Sequence, residues 1–308
     1  MILFTVSPHG FCAGVERAIL ILEKCLKKYG SPIFVNHQIV HNKFLVEHFE
    51  AQGVIFEADI NKIPENSVVV FSAHGVSPQY REKCENKKIK IIDSTCPLVL
   101  KVHTQVENFA KRGYKIVIIG NKNHQETIGT SGITEVSVIE NISDILKLDA
   151  KKFENAKTIC LTQTTLSVDN TSGLVEALKG KIPHLEVATG ICYASQNRQN
   201  AIKKLAELCD FIVVIGSRNS SNSNSLVETA ISCGCKAILL DDPNKIPNEV
   251  WNYEKVGLSS GASVPELLFE QVVGKFKSEN KNLEIRAIQT VEEHLSFPLP
   301  EDLSSIFE

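Results

Sequence analysis

Three cysteines introduce three similar segments of the chain. Each cysteine is followed by a helical stretch and a short apolar strand, and the strand ends 24 residues after the cysteine in every case. The matching pairs are Cys12 with Asn36, Cys96 with Gly120, and Cys192 with Gly216. This spacing predicts three related lobes, each with one thiol at an equivalent position. If the lobes pack around a pseudo-threefold axis, the sulfurs meet at a metal site with three protein ligands and an open position.

Apolar runs alternate with amphipathic helical stretches along the chain, which is typical of parallel sheets with crossover helices. The runs that predict strands lie at 33–35, 68–71, 89–92, 115–119, 158–161, 211–215, 237–240 and 255–258. A length of 308 residues suits two or three α/β lobes of roughly 100 residues each. We therefore predict an α/β fold with three lobes at 13–96, 97–192 and 193–280. Residues 1–12 are expected to form a strand near the centre, and residues 281–308 a tail that packs over the lobes.

The composition argues against several classes of protein. With a net charge of −3 the chain has no broad basic field, so we expect no nucleic-acid partner. No apolar run reaches the roughly 18 residues of a membrane span, and the N-terminus lacks the basic region and long apolar core of a signal peptide. The nine cysteines are scattered, which favours a reducing compartment and hence the cytoplasm. Cys233 and Cys235 form a C-x-C pair, which is a weak metal signal without a second pair.

Polar segments follow the predicted strands. Ligands of parallel sheets bind beyond the carboxyl ends of the strands, where these segments lie. They are SAHG at 72–75, NKNHQE at 121–126, TQTT at 162–165, SRNSSNSN at 217–224 and SSGAS at 259–263. Several lead directly into a helix, whose free N–H groups favour a phosphate or a carboxylate. Any single Ser, Thr or Asn is equally an ordinary helix cap, but the five segments together predict a compact polar cavity.

Histidines and one carboxylate add chemistry to this cavity. His41, His74 and His124 each follow a strand or its turn, and with the neighbouring hydroxyls they fit a diphosphate pocket. His37 and His41 also have the spacing of a helical metal pair, but no nearby carboxylate or cysteine completes that pair. Glu126 suits proton delivery if it is buried, because burial raises the pKa of a carboxyl group. The alternative is a solvated loop glutamate.

Long motifs in the chain resemble those of one enzyme family. They are GFCAGVERAI, HQIVHN, FSAHGVSP, DSTCPLVLKVH, NHQETIGTSG, TQTTLSVDNT, ICYASQNRQ, GSRNSSNSNSL and GASVPELL. In this order and spacing they are similar to the 4-hydroxy-3-methylbut-2-enyl diphosphate reductase family. The resemblance extends over about residues 2–275, and the tail sequence HLSFPLPEDL is also similar.

The resemblance implies a fold and a set of site residues. The lobes are expected to form a pseudo-threefold trefoil around one [4Fe–4S] cluster, whose three ligands are Cys12, Cys96 and Cys192 and whose fourth iron stays open for the substrate hydroxyl. Glu126 matches the family's proton donor, with Thr164 holding the hydroxyl and His124 beside them. The implied diphosphate-binding residues are His41, His74, His124, Ser220, Ser221, Asn222 and Ser263.

The implied reaction is reductive dehydroxylation of 4-hydroxy-3-methylbut-2-enyl diphosphate to isopentenyl and dimethylallyl diphosphate, the last step of the non-mevalonate isoprenoid pathway. It consumes two electrons and two protons and releases water, with reduced ferredoxin or flavodoxin as the expected electron donor. No membrane or nucleic acid is expected to take part.

Two alternatives from other classes remain open at this point. One is a redox-neutral iron–sulfur hydro-lyase, in which the open iron acts only as a Lewis acid and turnover needs no reductant. The other is a non-enzymatic regulator, in which the cysteines hold zinc. Turnover without a reductant would favour the first, and zinc without sulfide would favour the second.

Overall fold

The structure is a computed structural model and describes residues 1–304. The segment that follows Cys12 forms the first lobe. An N-terminal strand precedes this lobe. The elements of the two regions are β1 (Ile2–Ser7), α1 (Ala13–Tyr29), β2 (Ile33–Val35), α2 (Lys43–Glu50), β3 (Val54–Phe56), β4 (Val68–Phe71), α3 (Pro78–Asn86) and β5 (Lys90–Asp93). Helix α1 buries one apolar face and ends at Gly30, whose φ of 72° favours glycine.

The segment that follows Cys96 repeats the pattern. Its elements are α4 (Pro97–Lys111), β6 (Lys115–Ile119), α5 (Gln125–Ser131), β7 (Val136–Ile139), α6 (Ile142–Lys147), β8 (Thr158–Thr162), α7 (Val168–Lys181) and β9 (Leu185–Ala188). Pro97 occupies the first turn of α4, where the missing N–H costs no hydrogen bond.

The segment that follows Cys192 contains the third lobe and the C-terminal region. Its elements are α8 (Tyr193–Ala206), β10 (Phe211–Ile215), α9 (Ser221–Ser232), β11 (Lys236–Leu240), β12 (Lys255–Ser260), α10 (Glu266–Glu279), β13 (Glu284–Gln289) and α11 (Glu301–Ser304).

Each lobe is built on its own parallel sheet. Within residues 1–304 the sheet orders are β3-β2-β4-β5, β7-β6-β8-β9 and β11-β10-β12-β1-β13. The central strands are buried on both faces: Val70 packs into the core on one side of the first sheet, and Val69 packs into the core on the other side. Burial on both faces explains why these strands are continuous apolar runs in the sequence.

The predicted fold class of three α/β lobes with parallel sheets is confirmed. Strand β1 pairs with β12 on one side and β13 on the other, so the N-terminal strand belongs to the sheet of the third lobe. The division of the chain at the cysteines stays a prediction. None of the helices in the described region is long and apolar enough to cross a membrane.

Candidate functional site

Each of the three repeated cysteines occupies the N-cap position of a helix. Cys12 precedes α1, Cys96 precedes α4 and Cys192 precedes α8. Free N–H groups at a helix start favour negative charge on sulfur. The Ser195 N–H, for example, donates to Cys192 Sγ over 3.4 Å. The repeat in the sequence is therefore a repeat of one local structure, in which a thiol sits at the positive end of a helix.

The three thiols face a common cavity, and their charges interact. Burial, followed by repulsion from the other two thiolates, raises the pKa of Cys96 to about 12, despite opposing hydrogen bonds from backbone N–H groups. Burial also raises the pKa of Cys192. Thiolates gathered at one centre, two of them with a pKa raised by burial, are stabilised by a bound cation, so the ligand set fits a metal centre.

The space beside the sulfurs is open on the side of Gly14. A Cβ atom added at Gly14 would lie 2.6 Å from Cys96 Sγ and 4.0 Å from Cys12 Sγ, so the bare glycine keeps this space open. Within residues 1–304, the ligand atoms of His41, His74 and His124 lie within 4.8 Å of one another, close enough to hold a single ion. The three cysteines do not form such a close group. Three thiols that lack the close spacing of a single-ion site are compatible with an iron–sulfur centre.

The residues that the family resemblance implied for the site lie together in one inner cavity. Its lining includes the three cysteines, Glu126, Thr164, His41, His74, His124, Ser220, Ser221, Asn222 and Ser263. The loops that follow strands of all three sheets contribute to this lining. The structure thus brings the predicted site residues together, and their individual roles stay predictions.

Glu126 is buried and tightly held. Its side chain is 2% exposed, so the alternative of a solvated loop glutamate is wrong. Thr164 donates twice to the carboxyl group, from its N–H to Oε1 over 2.7 Å and from its hydroxyl to Oε2 over 2.9 Å. Burial outweighs these two bonds and raises the pKa of Glu126 to about 7. A carboxyl group with this pKa holds a proton for transfer near neutral pH.

Three histidine rings form one side of the cavity. The ring centres of His41 and His74 lie 4.1 Å apart, and His124 lies 5.1 Å from His41. Burial lowers the pKa of His41 to about 3 and that of His124 to about 4, so the rings are neutral in the free protein. The N–H of Glu126 donates to His124 Nδ1 over 3.2 Å, which places the ring proton on Nε2. With its ring proton on Nε2, His124 is a neutral N–H donor.

The third lobe supplies another side of the cavity. Ser220 caps α9, and Ser221 begins it, so the N-terminus of a 12-residue helix borders the cavity. Asn222 accepts from the Ala262 N–H over 2.8 Å and donates to Ser195 Oγ over 3.2 Å. The Cys192 thiol is also within hydrogen-bond distance of Ser195 Oγ, at 3.3 Å. The start of α9 and one cysteine are thereby joined through Ser195, which the sequence did not single out.

An outer cavity of about 610 Å³ adjoins the inner one and shares His41, His124 and Ser221 with it. His37 lines this outer space, with its ring centre 5.7 Å from that of His41. The spacing of His37 and His41 indicated a possible helical metal pair, but residues 37–41 are not helical, and His37 lies beside the histidine cluster instead. Cys233 is exposed and Cys235 is buried, so the C-x-C pair does not form one buried centre.

Comparison with known proteins places the chain in a family. A family model described as LytB protein matches residues 3–277. The 4-hydroxy-3-methylbut-2-enyl diphosphate reductase of Mannheimia succiniciproducens is 41% identical, with 98% of each chain covered. The enzyme of the same name from Nitrosomonas europaea is 43% identical, with 96% of this chain and 94% of the relative covered.

Solved structures agree with this placement. The chain is similar to the E-1-hydroxy-2-methyl-but-2-enyl-4-diphosphate reductase of Plasmodium falciparum, with a TM-score of 0.94, 39% identity, and coverage of 98% of this chain and 96% of the other. A second structure, described as the terminal enzyme of the non-mevalonate pathway, has a TM-score of 0.63 and 29% identity, with 90% of this chain and 100% of the other covered. The chain therefore belongs to the LytB family, that of the 4-hydroxy-3-methylbut-2-enyl diphosphate reductases.

Proposed function

We propose that the protein reduces 4-hydroxy-3-methylbut-2-enyl diphosphate to isopentenyl and dimethylallyl diphosphate, as the last step of the non-mevalonate isoprenoid pathway. The allylic C–O bond breaks, two electrons and two protons are consumed, the oxygen leaves as water, and one proton is added to carbon. The observation that carries this proposal is a buried carboxyl group with a pKa of about 7 in the same cavity as three helix-capping cysteines.

Cys12, Cys96 and Cys192 are proposed to hold one [4Fe–4S] cluster, one thiolate from the start of each of three helices. When bound, such a cluster supplies electrons and a Lewis-acidic iron to the hydroxyl group of the substrate. The protein contributes the ligands, the open space beside Gly14 and the burial that keeps water away. A reduced ferredoxin or flavodoxin is proposed as the electron donor.

Glu126 is proposed to deliver the proton that turns the hydroxyl group into water. Because the Thr164 N–H occupies Oε1, the acidic proton of Glu126 sits on Oε2, which lies 2.9 Å from Thr164 Oγ1. When Glu126 is protonated, the direction of this hydrogen bond reverses: Thr164 Oγ1 accepts from Oε2, and the Thr164 hydroxyl proton is directed towards the substrate. The pair acts as a short proton path with both ends fixed by hydrogen bonds.

The diphosphate is proposed to bind between the histidines and the start of α9. His41 Nε2 is buried without a hydrogen-bond partner, which leaves this atom available to a phosphate oxygen. In the same cavity the Ser221 and Asn222 N–H groups begin α9, and Ser220 and Ser263 supply hydroxyl groups. Anchoring at both sides holds the hydroxyl-bearing carbon near Glu126 and the cysteines.

The test is an anaerobic assay of the pure protein with the substrate, in parallel with and without a strong reductant. We expect isopentenyl and dimethylallyl diphosphate to form only when electrons are supplied. Water loss at the same rate without the reductant would overturn the proposal in favour of a redox-neutral hydro-lyase. A protein that contains zinc and no sulfide, and forms no product, would overturn the proposal in favour of a non-enzymatic regulator.

A further inference from the structure

The C-terminal region forms a strap, residues 284–304, that joins the third lobe to the first. Its strand β13 pairs with β1 from Ile2 to Ser7. Its helix α11 packs on α1, where Leu303 is fully buried in the core of the first lobe. The Lys28 side chain also donates to the Asp302 carbonyl. The strap therefore spans the outside of the lobes that carry Cys12 and Cys192.

Arg198 connects this strap to the cysteines from within the protein. It lies on α8, the helix that Cys192 caps, and its side chain is 1% exposed. Its Nη2 donates to the carbonyls of Gly10 over 2.8 Å and Phe11 over 3.2 Å, the two residues that precede Cys12. Its Nε donates to Gly10 as well, over 3.2 Å. Because a guanidinium group is rigid and planar, these bonds fix the loop of Cys12 against the helix of Cys192.

The strap supplies the charge partner of Arg198. Arg198 Nη1 lies 3.2 Å from each carboxylate oxygen of Glu293, whose side chain is 14% exposed. Asn197 Nδ2 donates to the same carboxylate over 2.9 Å. A buried guanidinium without a partner carries a large desolvation cost, so Glu293 is what allows Arg198 to remain between the two cysteine segments.

Arg17 makes an equivalent connection on the other side. It lies on α1, the helix that Cys12 caps, and its Nη1 donates to the Thr95 carbonyl over 3.2 Å, directly before Cys96. Its Nε donates over 2.7 Å to Pro298, which belongs to the strap. Arg17 thus joins the segments of Cys12 and Cys96, as Arg198 joins those of Cys12 and Cys192.

We propose that the strap, acting through Arg198 and Arg17, is a positioning element for the three cysteine ligands. This inference rests on the proposed iron–sulfur function. The ligands come from three separate loops, so their relative positions depend on contacts that cross between the lobes. Two arginines supply these contacts, and both are held by the strap. Glu293, Arg198 and Arg17 are positioning residues, because each one acts on the site through the backbone beside a cysteine.

The test compares Glu293→Gln with Glu292→Gln, a neighbouring substitution in which an exposed carboxylate is changed in the same way. Each protein is reconstituted anaerobically and analysed for iron and sulfide, for the spectrum of the reduced cluster by electron paramagnetic resonance, and for cluster loss to a chelator. We expect Glu293→Gln to lose its cluster on the order of tenfold faster than wild type, with a shifted spectrum. Arg17→Lys keeps the charge but loses the planar guanidinium group, and we expect it to lose its cluster faster than wild type as well.

Thermal midpoints of the cluster-free proteins, read together with the spectra, separate positioning from general stability. We expect Glu292→Gln to keep the wild-type midpoint, whereas Glu293→Gln lowers it because Arg198 loses its charged partner, and the shifted spectrum of Glu293→Gln then marks the positioning effect. Faster loss with a lowered midpoint and an unchanged spectrum would identify a general stabiliser and overturn the inference. Equal loss rates in Glu293→Gln and Glu292→Gln would overturn it too, while the proposed function would stand. A wild-type protein without iron and sulfide would overturn both.

Discussion

Glu126 shows how one buried side chain acquires a function. The same carboxyl group on the surface would be ionised at neutral pH, whereas burial raises its pKa to about 7 and Thr164 fixes its orientation. The sequence predicted an acid here from its place after a strand and beside His124. It could not settle whether the side chain was buried, since burial depends on residues of the other lobes.

Glu126→Gln removes the proton and keeps the shape of the side chain. We expect kcat to fall by about 10²–10⁴-fold with little change in substrate binding, because general acid catalysis is worth this much. In wild type the acid form of Glu126 is lost as the pH rises through about 7, so kcat at saturating substrate should fall above that pH. This fall should be absent from the residual activity of Glu126→Gln.

The matched control for this prediction is Glu140→Gln, at an exposed position on the outer cavity. It should keep the wild-type kcat and the wild-type pH profile. Wild-type turnover in Glu126→Gln would remove Glu126 from its proposed role.

Substitution of Gly14 tests whether the space beside the cysteines is needed for the metal centre. In Gly14→Ala the new Cβ would lie 2.6 Å from Cys96 Sγ, so we expect a protein that binds much less iron and sulfide after anaerobic reconstitution. Gly173→Ala is the control: it lies on α7, where a Cβ meets no atom within 4 Å. This control should keep full iron content and gain about 0.4–1 kcal/mol in free energy of unfolding. Equal iron content in Gly14→Ala and Gly173→Ala would contradict the inference that the metal centre occupies the space beside Gly14.

Helix starts are the elements on which the site depends. The sequence predicted a helical stretch after each of the three cysteines, and α1, α4 and α8 begin directly after Cys12, Cys96 and Cys192. It did not predict β3, β7, β9 or β13. The first three are only three or four residues long, and β13 is mostly exposed, so none is a continuous buried apolar run.

Substitution of serine at Cys12, Cys96 or Cys192 tests the equivalence of the three helix starts. Serine keeps the size of the side chain and can still cap the helix, but its hydroxyl group is a poor ligand for iron in place of a thiolate. We expect each variant to fold, to lose most of its cluster and to have almost no activity. Circular dichroism checks the fold, and iron and sulfide analysis checks the cluster. A stable, active Cys96→Ser protein would count against the ligand assignment.

At the scale of the whole molecule, the three lobes are related without being identical. Strands from both ends of the chain, β1 and β13, join the sheet of the third lobe. The equal spacing after the three cysteines predicted three lobes, because that spacing is a local property of each segment. The contact of Arg198 with Glu293 joins residues 95 positions apart, and no local pattern in the sequence indicates it.

We propose that three lobes provide three cysteine ligands to one iron–sulfur cluster and leave its fourth iron for the substrate. Mössbauer spectroscopy of the anaerobic protein, reconstituted with iron-57, tests this most directly when spectra are recorded with and without 4-hydroxy-3-methylbut-2-enyl diphosphate. We predict one iron distinct from the other three, whose signal changes when the substrate is added. Four equivalent irons that do not respond to the substrate would contradict the claim.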